Sequence, residues 1–285
     1  PDLSDLPELT DDERAMAART WRGRMVNEHI SAQVFASLVP QLMRAAVPPS
    51  ILAQVPAYIT DELRHAEQCA GVVLALGHAP VAPLPEIQKV PEHEDVGPLE
   101  AAVRNVLSVG CLSETVAVSI IRAEQAELAG TTLGGVLDSI LADEISHARF
   151  GWGFLGEVLP LLDAAARERL DAYLVVALRH QIEFEVPKLP INAGLRRVVA
   201  QAGVCDGGFA RALFYDTIEQ VIVPQLDAAG LAGLGETPLH ALEAGERGLN
   251  NRIGNFHFER DGDRGERVLG VVGAEHRQMN AFDGA

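Results

Sequence analysis

Asp61-Glu62-Leu63-Arg64-His65 and Asp143-Glu144-Ile145-Ser146-His147 are the two stretches on which the reading of this chain turns. Each sets a glutamate three residues before a histidine, with an aspartate directly before the glutamate. At 3.6 residues per turn the Glu and His share one helix face and can reach a common point. Nine histidines and 24 glutamates in 285 residues give about 0.8 chance occurrences of Glu-x-x-His, and the added aspartate lowers this to about 0.04. The chain holds two.

Both motifs fall within helical pattern. Thr10-Asp11-Asp12-Glu13 has the form of a capping box and opens a helix that runs to Pro40, or kinked to Ala46. A second helix fits Ile51 to Leu76, with Pro56 kinking it or delaying its start, and Gly77 stops it. Five prolines between residues 77 and 98 (Pro80, Pro83, Pro85, Pro91 and Pro98) mark an extended connection. A third helix fits Leu99 to Ala129 and a fourth Leu133 to Leu159. Two helices, a long crossover and two more helices is one way to connect a four-helix bundle. Further helices are expected over 163–186, 207–229 and 238–251, followed by an irregular tail. The expected fold is therefore all-α: a bundle over residues 1–160, with a helical extension over 161–285 packed on it as part of one structural domain.

The other two bundle helices each carry one carboxylate on an apolar stripe. Glu28 sits among Trp21, Met25, Ala32 and Phe35, and Glu114 among Leu107, Cys111, Val118 and Ile121. An isolated carboxylate facing a core is costly unless it is paired or ligated. Four such carboxylates meeting two histidines are untenable without cations, and four negative charges balance two divalent ions. The alternatives are plainer: Glu62 and Glu144 on solvated faces, or Glu28 at the surface beside Asn27 and His29. The doubled motif speaks against the first of these.

Composition limits the function classes. Hydrophobic residues make up 48% and aromatics 5%, an ordinary globular balance suited to helices. The formal charge of −17 repels a phosphate backbone and argues against nucleic acid. Cys69, Cys111 and Cys205 are scattered, which fits a reducing cytoplasm. No apolar run of about 18 residues suggests a membrane span. There is no phosphate-binding Gly-rich loop.

One Glu, then Glu-x-x-His, then one Glu, then Glu-x-x-His, on four helices with a long crossover, resembles the ferritin-like di-iron carboxylate family. The spacings of 34, 52 and 30 residues between Glu28, Glu62, Glu114 and Glu144 are similar to those of its oxygenase branch, which includes p-aminobenzoate N-oxygenase and the bacterial multicomponent monooxygenases. The resemblance covers residues 11 to 160. It implies that Glu28 and His65 ligate one iron, Glu114 and His147 the other, and that Glu62 and Glu144 bridge the pair. Asp61 and Asp143 would hold the histidine N–H groups, Arg64 would pair with one of these aspartates or lie at the surface, and Cys69 would sit close by.

There are departures from the family. Where a radical tyrosine follows the first histidine in ribonucleotide reductase, this chain has Cys69, although Tyr58 lies one turn before Glu62. Ile140 replaces the third histidine of the N-oxygenases, and His180 on the fifth helix is a candidate substitute. Val118 replaces the threonine of the monooxygenases. Gly110 and Gly151, each one turn from a ligand, either leave room for a substrate or let two helices touch.

The expected activity is O2-dependent oxidation, at nitrogen or carbon, of a small organic substrate. It would use two Fe ions, with Mn possible, and electrons from a reductase or ferredoxin, in a cytoplasmic homodimer. The alternative is a ferroxidase or iron store.

Overall fold

The computed structural model describes residues 1–83, 89–189 and 196–231, together with the backbone of 260–261 and 266–267. Among these residues the chain is helical, apart from a two-residue antiparallel pairing of Arg260–Asp261 with Glu266–Arg267. The helix expected over 238–251 and the C-terminal histidines His240, His257 and His276 lie outside the described residues.

Helix α1 spans Asp11–Arg44. Its capping box forms as the sequence indicates: Glu13 N–H donates to Thr10 Oγ1 (3.3 Å), and Thr10 N–H donates to Glu13 Oε2 (2.9 Å). The helix continues through Pro40 to Arg44. A one-turn helix, Pro49–Leu52, precedes α2, Val55–Ala75. Pro56 occupies the first turn of α2, where a missing N–H costs no helical bond, so it delays the start without kinking the helix. Gly77 then takes a left-handed φ of 83° and ends it. The crossover is tied back to the helices: the side-chain amides of Gln41 and Asn105 both donate to the Pro91 carbonyl, at 2.9 and 2.7 Å.

Helix α3 spans Pro98–Glu127 and is long and apolar enough to cross a membrane by composition. Half of its most apolar window is buried inside the protein, which accounts for the composition. It is interrupted by a π-helical segment, Leu107–Ser113, that ends directly before Glu114. Helix α4, Thr132–Val158, is capped by Thr131.

Side-chain contacts give the helix directions. Between α1 and α2, Phe35 meets Tyr58 and Glu28 meets His65, so one number rises as the other falls. The same holds between α2 and α4 (Tyr58 with Phe150, Gln68 with Ser139) and between α1 and α3 (Gln41 with Asn105, Arg24 with Glu124). Each of these pairs is antiparallel. Helices α2 and α3 therefore run the same way, which is why a long crossover must join them.

Helix α5, Ala164–Glu185, and an outer helix over 207–228, itself containing a π segment at Ile218–Ile222, cover the four. Tyr173 and Leu174 of α5 and Phe214 of the outer helix share one apolar cluster with Phe35 and Leu38 of α1 and Leu112 of α3. Each large side chain so buried contributes about 1.5–3 kcal/mol. The buried Arg104–Glu100 pair (2.8 Å) extends to the half-exposed Arg169 (2.6 Å from Glu100), which ties α5 to α3.

Candidate metal centre

The four helices bring all six sequence-derived residues to one place. Glu28 comes from α1, Glu62 and His65 from α2, Glu114 from α3, and Glu144 and His147 from α4. All but Glu28 are fully buried, and the Glu28 side chain retains 13% of its exposure. Their ligand atoms form two groups: Glu28, Glu62, His65 and Glu144; and Glu62, Glu114, Glu144 and His147. Within each group every ligand atom lies within 4.8 Å of the others, and each group could hold a metal ion. Glu62 and Glu144 belong to both.

The histidines point their Nδ1 atoms inward. His65 Nδ1 lies 3.4 Å from Glu28 and from Glu144, and 3.8 Å from Glu62. His147 Nδ1 lies 3.2 Å from Glu62 and 3.3 Å from Glu144. The Nε2 atoms point outward and meet aspartates of the opposite motif. His65 Nε2 donates to Asp143 Oδ2 at 3.0 Å, and His147 Nε2 approaches Asp61 Oδ2 at 3.5 Å. Arg64 bonds both aspartates, Asp61 Oδ1 at 3.0 Å and Asp143 Oδ2 at 2.5 Å. This crossed pairing was not visible in the spacing, which shows only neighbours on one helix.

The donor set fits divalent cations. The buried atoms Glu62 Oε2, Glu144 Oε2 and both histidine Nδ1 atoms have no hydrogen-bond partner, although they face one another across 3–4 Å. Orphaned buried acceptors cost about 1–3 kcal/mol each, more when charged, and one cation in each group would satisfy them. A carboxylate-rich set with two imidazoles suits iron or manganese better than copper.

Electrostatics within the cluster carry the same mark. Burial, reinforced by the Glu62 and Glu144 charges, pushes the Glu28 carboxyl up to about 8. Burial and the Glu144 carboxylate push Glu114 well above the carboxylate range. For His147 burial favours the neutral ring, but Glu144 and Glu62 outweigh it and raise the pKa to about 10. His65 is raised in the same way by Glu144, Glu28 and Glu62. Burial also opposes ionisation of Glu144, yet both histidines and Glu114 hold it below the usual range. Without cations, protons are thus retained in the cluster to offset its charge.

The walls are apolar. The His147 ring is met edge-on by Tyr58 (4.7 Å between centroids) and Phe35 (5.3 Å), and Phe150 packs on Tyr58. Cys69 and Ile140 are buried in the adjoining apolar cluster, and Val118 packs against it. His180 belongs to neither ligand group. The glycine alternatives are also decided. A Cβ on Gly110 would lie 2.7 Å from Gly151 Cα, so these residues let α3 and α4 touch and leave no room there for a substrate.

Two features beside the cluster lacked a sequence signal. The π segment places Glu114 at its end, and π insertions concentrate at functional sites. The Trp152 indole donates to Thr115 Oγ1 at 3.0 Å, linking α4 to the residue after Glu114. Comparison with protein-family models, with curated proteins and with solved structures finds no match.

Proposed function

We propose that this chain is a ferritin-like di-iron carboxylate protein that activates O2 to oxidise a small organic substrate, by N-oxygenation or hydroxylation. The observation that carries the reading is the pair of buried four-donor groups sharing Glu62 and Glu144. In this reading Glu28 and His65 would hold one ion and Glu114 and His147 the other, with Glu62 and Glu144, which belong to both groups, serving both. Two ferrous ions held by these residues would supply electrons for the reduction of O2.

The chain's own residues do the rest. Asp143 accepts a hydrogen bond from His65 Nε2–H and so leaves an unprotonated Nδ1 facing the cluster, whereas Asp61 only approaches His147 Nε2, at 3.5 Å, without a hydrogen bond. Arg64 orients both aspartates by bonding each of them. Phe35, Tyr58 and Phe150 exclude water from the His147 side. The extension that adds α5 and the outer helix favours an oxygenase, since the four ligand helices alone supply every donor. The partners this reading brings are O2, the substrate and an electron-donating reductase or ferredoxin, with a cytoplasmic homodimer as the assembly.

The test is anaerobic Fe(II) titration followed by exposure to O2. About two Fe(II) per chain are expected from the charge balance of four carboxylates. O2 uptake should stop after that small complement is oxidised and resume when reductant and a suitable aromatic or amine substrate are added. Oxidation of hundreds of equivalents by a large shell would replace this reading with the ferroxidase one.

A further inference from the structure

Hydrogen bonding and exposure divide the cluster into unequal halves. In the Glu28–His65 half, the His65 ring is fixed by a 3.0 Å bond from Nε2–H to Asp143, which Arg64 anchors in turn. Its Nδ1 is held toward Glu28 and Glu144. This half also includes Glu28, the most exposed of the four carboxylates at 13%, against 1–5% for the other three. In the Glu114–His147 half, His147 Nε2 stands 3.5 Å from Asp61 and has no hydrogen-bond partner, so its tautomer is not fixed from outside. Glu114, directly after the π segment of α3, is buried at 5% exposure.

These differences act in the same direction. A ligand already locked in its binding orientation loses less freedom on binding, so the fixed imidazole raises affinity. A partly exposed ligand also lets an entering ion keep some of its water, which lowers the cost of dehydration. Resting on the dinuclear reading above, we propose that metal loading is ordered: the Glu28–His65 half takes the first divalent ion, and the Glu114–His147 half fills second. Glu62 and Glu144 would serve the first ion alone before they bridge. Stepwise addition of two different metals would then place the first-added metal at His65.

The experiment uses the full chain with 15N-labelled histidine, titrated with diamagnetic Zn(II) and followed by NMR of the ring nitrogens, assigned through His65→Gln and His147→Gln. The first equivalent should move the His65 signals and the second those of His147. In parallel, Mn(II) binding is followed by EPR in two variants. Glu114→Gln should keep the first equivalent within about threefold of wild-type affinity, whereas Glu28→Gln should weaken it by about tenfold or more. Simultaneous movement of both histidines, or the reverse order in the variants, overturns the ordering and leaves the dinuclear site standing. If two equivalents move neither histidine, the dinuclear reading itself falls.

Discussion

Asp143 and Asp61 are chemically the same residue in the same motif position, yet they hold their histidines differently. The bond from His65 to Asp143 is 3.0 Å, while His147 and Asp61 stand 3.5 Å apart. Removing the charge of an outer partner typically costs 10–100-fold in metal affinity. Asp143→Asn should therefore weaken metal binding by about that range, and Asp61→Asn by less, as read by competition with a chelating dye. Equal losses would mean that the distance difference has no energetic weight. Arg64 separates stability from function at the same place. Its side chain is 46% exposed, and exposed ion pairs contribute about 0–1 kcal/mol. Arg64→Ala should barely change the unfolding midpoint while lowering metal affinity, because it frees both aspartates to rotate away from the histidines.

At the scale of elements, the crossing of α3 and α4 is set by two glycines. A Cβ built on Gly151 meets the Gly110 carbonyl carbon at 2.3 Å, and backbone cannot yield as a flexible side chain would. Gly151→Ala should cost about 1–3 kcal/mol by overpacking, measured by chemical denaturation. It should also lower metal affinity, since Glu114 and His147 ride on the helices it separates. An unchanged midpoint would show that the crossing can relax. Much of this architecture was legible in the sequence because its signals are local. Thr10 with Glu13, Gly77 and the crossover prolines act within a few residues of themselves, and the doubled Asp-Glu-x-x-His needs only helical periodicity. What was not legible depends on partners distant in sequence. The π segment of Leu107–Ser113 has no composition of its own, and the glycine pair read equally well as space or as contact. The crossed aspartate–histidine pairs became visible only once α2 and α4 lay antiparallel.

For the whole molecule, a cluster that holds metal should make stability depend on both metal and pH. In chelator-treated protein Glu28 titrates at about 8 and His147 at about 10, both above their unfolded values of about 4.3 and 6.5. A group whose folded pKa is raised contributes stability that is lost as pH rises from its unfolded to its folded value. The Glu28 contribution therefore fades between about pH 4.3 and 8, and that of His147 between about 6.5 and 10. Glu144, held low, acts in the opposite sense, losing its contribution only as the solution becomes strongly acidic. Between pH 6 and 9 the metal-free chain should thus become steadily less stable. Metal binding requires these same groups to be deprotonated, so affinity rises over that interval. Free metal at 100 times Kd adds about 2.7 kcal/mol to the folded state, or roughly 5 °C in a chain of this size. The gap in melting temperature between Fe(II)- or Mn(II)-loaded and chelated protein should widen from pH 6 to pH 9, followed by circular dichroism under anaerobic conditions. A gap that stays constant or narrows with rising pH would show that the buried carboxylates are not the metal ligands, because ligand exchange for protons at these groups is what couples the two.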